Sequence, residues 1–184
     1  MTLPDLQPTL VGPTVTLRPI AADDWTDLFA AAADPKIWEV HPVPDRYTEP
    51  EFRKFFDGAL KSKTALVFVD RASGALIGSS RYYGHEPAFG EIEIGWTFLV
   101  RKHWGGATNR EVKRLMLEHA FTFVNTVVFW VGEQNLRSQG AMTKIGGVRR
   151  AGVFTRELTG ADKPYFIYEI TKSAYENGGR ALLG

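Results

Sequence analysis

Residues 91–124 read EIEIGWTFLVRKHWGGATNREVKRLMLEHAFTFV, and the change of period inside this stretch decides the fold. Over residues 90–100 apolar and polar side chains alternate. Ile92, Ile94, Trp96 and Phe98 fall on one face, and Glu91, Glu93, Gly95 and Thr97 on the other. A period of two is that of a strand. Farther on, Val112, Leu115, Met116, Ala120 and Phe123 recur at helical spacing, with Leu117, Phe121 and Val124 widening the stripe. So broad an apolar face predicts a largely buried helix. Between strand and helix lies Trp104-Gly105-Gly106-Ala107-Thr108-Asn109, a run of mostly small residues. The first turn of a helix has unpaired N–H groups and a partial positive charge, and small residues let a phosphate approach them. The run reads as a pyrophosphate cradle or, equally, as a tight turn seating a helix on a sheet. It lacks the Gly-Lys-Ser/Thr ending of a Walker loop and the GxGxxG fingerprint, which argues against a Rossmann nucleotide site.

Working outward, residues 126–131 form a short apolar strand of the inner kind. Asn135 is placed to cap a short helix ending at Gly146-Gly147, and strands follow over 148–157 and 164–171. Upstream, strands at 65–70 and 75–83 flank the turn Arg71-Ala72-Ser73-Gly74, a hairpin signal. Two amphipathic helices come earlier. One has Asp23 or Asp24 as N-cap, carries Trp25, Leu28, Phe29 and Ala32, and is closed by Pro35. The other opens on a Thr48–Glu51 capping box and carries Phe52, Phe55, Phe56, Ala59 and Leu60. Between them, residues 38–47 hold two prolines and the sticky side chains Trp38, His41 and Tyr47. These are residues of a binding loop or anchors packing on the core. A first strand at 15–20 follows an irregular lead-in, residues 1–13, with three prolines and a glycine. The order βα, α, βββ, α, β, α, ββ predicts one mixed α/β domain over 14–175 and a tail over 176–184.

Bulk properties narrow the function. The 184 residues are 44% hydrophobic and 23% charged, with a net charge of +1. That balance suits one packed domain rather than a disordered chain, and no large nucleic-acid footprint is implied. There is no cysteine, so disulfides, cysteine-based zinc sites and a cysteine nucleophile are excluded. The four histidines are scattered, and no metal is expected. No apolar run is long enough to span a bilayer and no leader pattern opens the chain, so a cytoplasmic protein without a membrane partner is expected.

The ordered set of motifs resembles the GNAT superfamily of N-acetyltransferases, within it the branch similar to ribosomal-protein N-terminal acetyltransferases (RimJ/RimL-like). The resemblance rests on Leu17-Arg18-Pro19, Gly78, Glu93-Ile94-Gly95-Trp96, His103 through Asn109, Asn135-Leu136-Arg137-Ser138 and Met142 through Gly147, across about residues 14–171. It implies an α+β-like domain with a splayed, mostly antiparallel mixed sheet flanked by helices. It also implies acetyl-CoA as co-substrate in the split between the strands at 90–100 and 126–131. By the same resemblance, the pyrophosphate sits on N–H groups of Gly105, Gly106, Ala107, Thr108 and Asn109. The pantetheine runs beside Leu99 and Val100, the Leu99 N–H holds the thioester carbonyl, and Asn135 contacts the pantetheine. The superfamily loop is Gln/Arg-x-x-Gly-x-Gly/Ala; here Trp104, Ala107 and Asn109 stand at the three fixed positions.

The reaction needs a neutral amine, so a base is useful. Glu93 is the candidate, Glu91 the alternative, and an exposed strand carboxylate the plain reading of either. A tyrosine that many relatives place seven residues after the asparagine is Met142 here; Ser138 or water is left to protonate the departing thiolate. Trp38, His41 and Tyr47 are candidates to line the acceptor's way in. The acceptor is a primary amine, on a small molecule or a protein N-terminus. A second reading is a CoA-binding sensor or interaction module without turnover; a third, setting the resemblance aside, is a flavin or nucleotide enzyme. Phe154 and Tyr165 are either a homodimer patch or core.

Overall fold

The alternating stretch becomes the central strand of a nine-stranded sheet in the computed structural model, which describes residues 3–158 and 161–184. The elements are β1 (Leu10–Val11), β2 (Val15–Pro19), α1 (Trp25–Ala32), α2 (Glu49–Ser62), β3 (Ala65–Asp70), β4 (Leu76–Glu86), β5 (Glu91–Leu99), α3 (Ala107–Ala120), β6 (Thr126–Gly132), α4 (Leu136–Lys144), β7 (Val148–Arg149), β8 (Phe154–Leu158), β9 (Ala161–Thr171) and α5 (Lys172–Glu176). The order across the sheet is β1-β2-β3-β4-β5-β6-β9-β7, with β8 on β9. Neighbours are antiparallel except β5 and β6, whose parallel pairing needs the α3 crossover between them. Val112, Met116 and Ala120 of α3 join one core on one face of the sheet; Leu28, Phe52 and Phe56 of α1 and α2 join a second core on the other.

The strand at the centre departs from simple alternation. Ser79 lies opposite Phe98 and Arg81 opposite Gly95, so Trp96 and Thr97 together face the single residue Ser80. Two residues against one is a β-bulge, and Trp96 sits in the left-handed region at φ +51°. Parity therefore flips. Ile92 and Ile94 enter the α3 core as expected, but Trp96 and Phe98 turn to the α1/α2 core, and Leu99 takes the α3 side. Ser80 clamps the bulge by donating to the Gly95 carbonyl at 3.0 Å and meeting Thr97 Oγ1 at 2.7 Å.

Other local expectations need correction. Asp24 stands at the start of α1 without capping it, because its carboxylate accepts from Arg18 and from the Ala21 N–H instead. Thr48 is the N-cap residue of α2, but its side chain accepts no cap bond and Glu51 pairs with Lys54. The lead-in contributes β1, and Leu183 of the tail is buried in the α3-side core. The strand expected at 148–157 is two, parted near Gly152 at φ +101°. Glu111, buried in the middle of α3, accepts from the Thr14 and Val15 N–H groups and so ties that helix to β2. No helix among the described residues is long and apolar enough to cross a membrane.

Gly78 sits opposite Leu99, just past the bulge, where a Cβ would come within 2.2 Å of the Phe98 carbonyl oxygen. Backbone cannot yield as a flexible side chain does, so Gly78→Ala is expected to cost about 1–3 kcal/mol and to lower the Tm in a thermal melt. An unchanged Tm would mean that β4 and β5 are not held this close.

Candidate active site

The same bulge governs how β5 meets β6. The two strands pair only at Glu91↔Thr126, Ile92↔Val127 and Glu93↔Val128. Beyond that point β5 stays with β4 as far as Leu99, and β6 stays with β9 as far as Gly132. From Ile94 and Phe129 onward the facing edges diverge into a cleft of ≈ 240 Å³ lined by both strands. Unpaired strand edges present rows of N–H and C=O groups to whatever enters. Val100 donates its N–H to Ile77 at 2.8 Å. In an antiparallel ladder successive residues point to opposite edges, so Leu99 turns its peptide groups into the cleft. Its carbonyl is already taken by Trp104 Nε1 at 2.7 Å; its N–H remains for a ligand.

The cleft runs toward the start of α3. Gly105 takes φ +65° and Gly106 is the N-cap, with no side chain to satisfy the first N–H groups and no acidic residue in the first turn. The open donors at Ala107, Thr108 and Asn109 suit a diphosphate. Trp104, Gly105 and Asn109 line the cleft, whereas Val100, Gly106, Ala107 and Thr108 do not. Thr108 Oγ1 is engaged with His103 Nδ1 at 3.1 Å. The unusual Trp104 has a structural reason: besides bonding Leu99, its ring lies 4.1 Å under the Arg137 guanidinium, which in turn donates to the Ile37 carbonyl at 2.7 Å. It ties β5, α4 and the segment before α2 together.

On the β6 side, Asn135 caps α4 by accepting from the Ser138 N–H at 3.1 Å and is otherwise buried at the cleft wall. Ser138 and Met142 line the cleft one and two turns on. One functional side chain escaped the sequence reading. Lys113 is 3% exposed, lines the cleft, donates to Thr97 Oγ1 at 3.1 Å and lies 5.0 Å from the Phe129 ring. No carboxylate pairs with it among the described residues, and burial lowers its pKa to about 7. The signal was present in the sequence: Lys113 falls between Asn109 and Met116 on the apolar stripe of α3.

The acceptor-side candidates divide. Glu93 is buried and does not line the cleft, and both of its oxygens accept from Arg156, at 3.0 and 2.6 Å. From sequence Glu93 reads as a candidate base or an exposed strand carboxylate; the bidentate pair makes it the buried anchor of Arg156. Its pKa is nonetheless raised, because desolvation outweighs the guanidinium. Its Oε1 lies over Gly95, where a Cβ would meet it at 2.7 Å, and Gly95 lines the cleft. Glu91 is spent on Arg150, which it shares with Glu169, and does not line the cleft. Trp38 and His41 do line it; Trp38 is 2% exposed and donates its indole N–H to the Ala32 carbonyl, so it is both wall and core. Tyr47 is exposed and outside the lining. Tyr165 lines the cleft, and Phe154, half-buried, packs near Trp130 at 5.9 Å. Among the described residues no cluster of His, Asp or Glu could hold a metal.

The acetyltransferase (GNAT) domain family matches residues 14–148, which include β5, the loop, α3, β6 and α4. The fold is similar to a GCN5-related N-acetyltransferase from Brucella melitensis, at 22% identity and TM-score 0.80 over 97% of this chain and 86% of that one. It is also similar to Mycobacterium smegmatis RimJ in complex with CoA-disulfide, at 20% identity and TM-score 0.72, covering 98% and 96%. An acetyltransferase from Agrobacterium tumefaciens str. C58 is 26% identical with TM-score 0.66, covering 90% and 95%. No curated protein matches the chain at the level of sequence.

Lys113 gives a pH test. Its folded pKa of about 7 lies below the ordinary 10.5. Between those values the unfolded chain holds the proton more tightly, so wild-type stability rises with pH across the window and falls as pH drops through 7. Lys113→Met removes this dependence. In melts at pH 7 and 10, the variant's Tm relative to wild type is expected to be higher at pH 7. A constant difference would mean that Lys113 is not desolvated.

Proposed function

Because the chain belongs to the GNAT acetyltransferase family, we propose that the split between β5 and β6 holds acetyl-CoA and passes its acetyl group directly to a primary amine, on a small molecule or a protein N-terminus. The observation that carries this reading is the end of β5–β6 pairing at Glu93↔Val128, which leaves two unpaired edges leading to the uncapped start of α3. A pantetheine arm has amide groups that can pair with such edges, and the cradle from Gly105 to Asn109 suits its pyrophosphate.

In this arrangement the amine lone pair attacks the thioester carbonyl carbon, the C–N bond forms, the C–S bond breaks and the thiolate departs. The Leu99 N–H opposes the negative charge that grows on the carbonyl oxygen. The ammonium form of the acceptor must lose two protons overall to become an amide. One replaces the proton that Lys113 gives to the thiolate. The other passes through water over Gly95 to Glu93, whose raised pKa improves it as an acceptor. Asn135 positions the pantetheine. Ser138 and Lys113 meet the leaving thiolate, and Lys113 supplies the proton that no tyrosine can give where Met142 stands. The non-catalytic sensor reading rests on the missing tyrosine and the altered loop; Lys113 in the cleft and the contacts that hold Trp104 weigh against it. Likeness to a RimJ structure supports the RimJ/RimL-like branch.

Calorimetric titration with acetyl-CoA beside a thiol-release assay over an amine panel tests the reading. Binding with amine-dependent release is expected. Glu93→Gln is expected to lower kcat about 10- to 100-fold, and Lys113→Met similarly, with acetyl-CoA affinity retained. Absence of acetyl-CoA binding would overturn the proposal; binding without release from any amine would leave a CoA-binding module.

A further inference from the structure

Two arginines stand behind the acceptor end of the cleft, outside its lining and with no ion-paired acid among the described residues. Arg46 is 7% exposed, its guanidinium 5.4 Å from the Trp38 ring and 5.0 Å from the Phe55 ring. Among the described residues its one hydrogen-bond-range contact is with His41 Nε2 at 3.3 Å. That contact is not a satisfied hydrogen bond. His41 Nδ1 already accepts from the Val43 N–H at 3.0 Å, and burial holds the ring neutral, with a pKa of about 3. A neutral imidazole has one acceptor nitrogen, so Nε2 carries the hydrogen and faces Arg46 donor to donor. Arg81 stacks 3.8 Å from the Trp96 ring and spends one donor on the Gly58 carbonyl at 3.1 Å, while its Nε is buried with no partner. Neither arginine has a carboxylate within ion-pair distance among the described residues.

The surroundings deepen the imbalance. Trp38 and His41, which touch Arg46, and Trp96, which touches Arg81, all line the cleft. No Asp or Glu lines it, and its charged walls are Lys113 and Arg137. Of the acids in the neighbourhood, Glu93 is matched by Arg156, and Asp45 and Glu51 act on Arg46 only from beyond ion-pair distance. Guanidinium donors left unpaired on burial are costly unless an anion arrives to use them, and Arg81 Nε and the Arg46 donor facing His41 are such groups.

We propose that the acceptor is a small amine that also carries a carboxylate, of the amino-acid class, whose carboxylate is received by Arg46 and Arg81. This rests on the acetyltransferase reading of the cleft. The same positive field acts on the nitrogen to be acetylated: nearby like charge disfavours its ammonium form, so the neutral nucleophile is supplied in part by the site itself. Polyamines and aminoglycosides, which bring several positive charges, fit this chamber poorly.

The test compares amino acids with their carboxamides and with diamines in the thiol-release assay. It is paired with calorimetry of the corresponding N-acetyl amino acids and N-acetyl amino-acid amides. The carboxylate forms are expected to exceed the amides at least about 10-fold in kcat/KM and in affinity, since charge-assisted bidentate bonds are at stake. In Arg46→Met and Arg81→Met that ratio is expected to collapse toward 1, whereas Arg46→Lys retains part of it. Acetyl-CoA titration of each variant verifies that the cleft is folded. If the wild type favours diamines, shows no carboxylate preference, or binds none of the N-acetyl amino acids while still binding acetyl-CoA, this inference fails and the acetyltransferase reading stands. If acetyl-CoA itself does not bind, both fail.

Discussion

Trp96 holds a left-handed backbone conformation in the middle of β5, and the cleft depends on how that conformation is kept. A bulky residue there costs on the order of 1–2 kcal/mol, so the surroundings must over-determine it. They do so from three directions. Arg81 stacks on the indole at 3.8 Å and Tyr83 meets it edge-on at 5.1 Å. Ser80, alone opposite the bulge, bonds Gly95 and Thr97 on either side of it. Lys113 reaches Thr97 from α3. Gly78 then lets β4 stay close to the far end of β5. The outcome is a strand that bends away from β6 after three paired residues, with the cleft lying along the divergence.

Charge follows from the same geometry. Opening two edges inside a packed sheet creates a space partly screened from bulk solvent, where a fixed charge counts for more than at the surface. The charged side chains that line it are Lys113 and Arg137, and Glu93 behind it is held by Arg156. Such a space favours a ligand with phosphates at one end and disfavours an ammonium at the other. Both are useful to an enzyme that must bind a nucleotide thioester and present a neutral amine to it.

Much of this was legible in the sequence. The period change at residues 91–124 located the strand, the turn and the helix, and Asn135 was read as the cap it is. The family match over residues 14–148 agrees with the resemblance drawn from motif order. What alternation could not reveal is the bulge, because one extra residue reverses the faces of everything after it; Trp96 and Phe98 were assigned to the wrong core for that reason alone. Partners across long sequence distances were equally hidden. Glu93 reads as a free carboxylate until Arg156, 63 residues away, is brought onto it. Arg46 reads as an ordinary loop arginine until Trp38, Phe55 and His41 enclose it. Lys113 was the exception: a lone cation on an apolar stripe was there to be noticed.

Hydrogen exchange with and without acetyl-CoA directly reads whether the diverging edges of β5 and β6, with the start of α3, receive it. Slowed exchange is expected at residues 94–109 and 129–138, with little change in β2 and β3. Protection confined to other strands, or none under conditions where acetyl-CoA is bound, would contradict it.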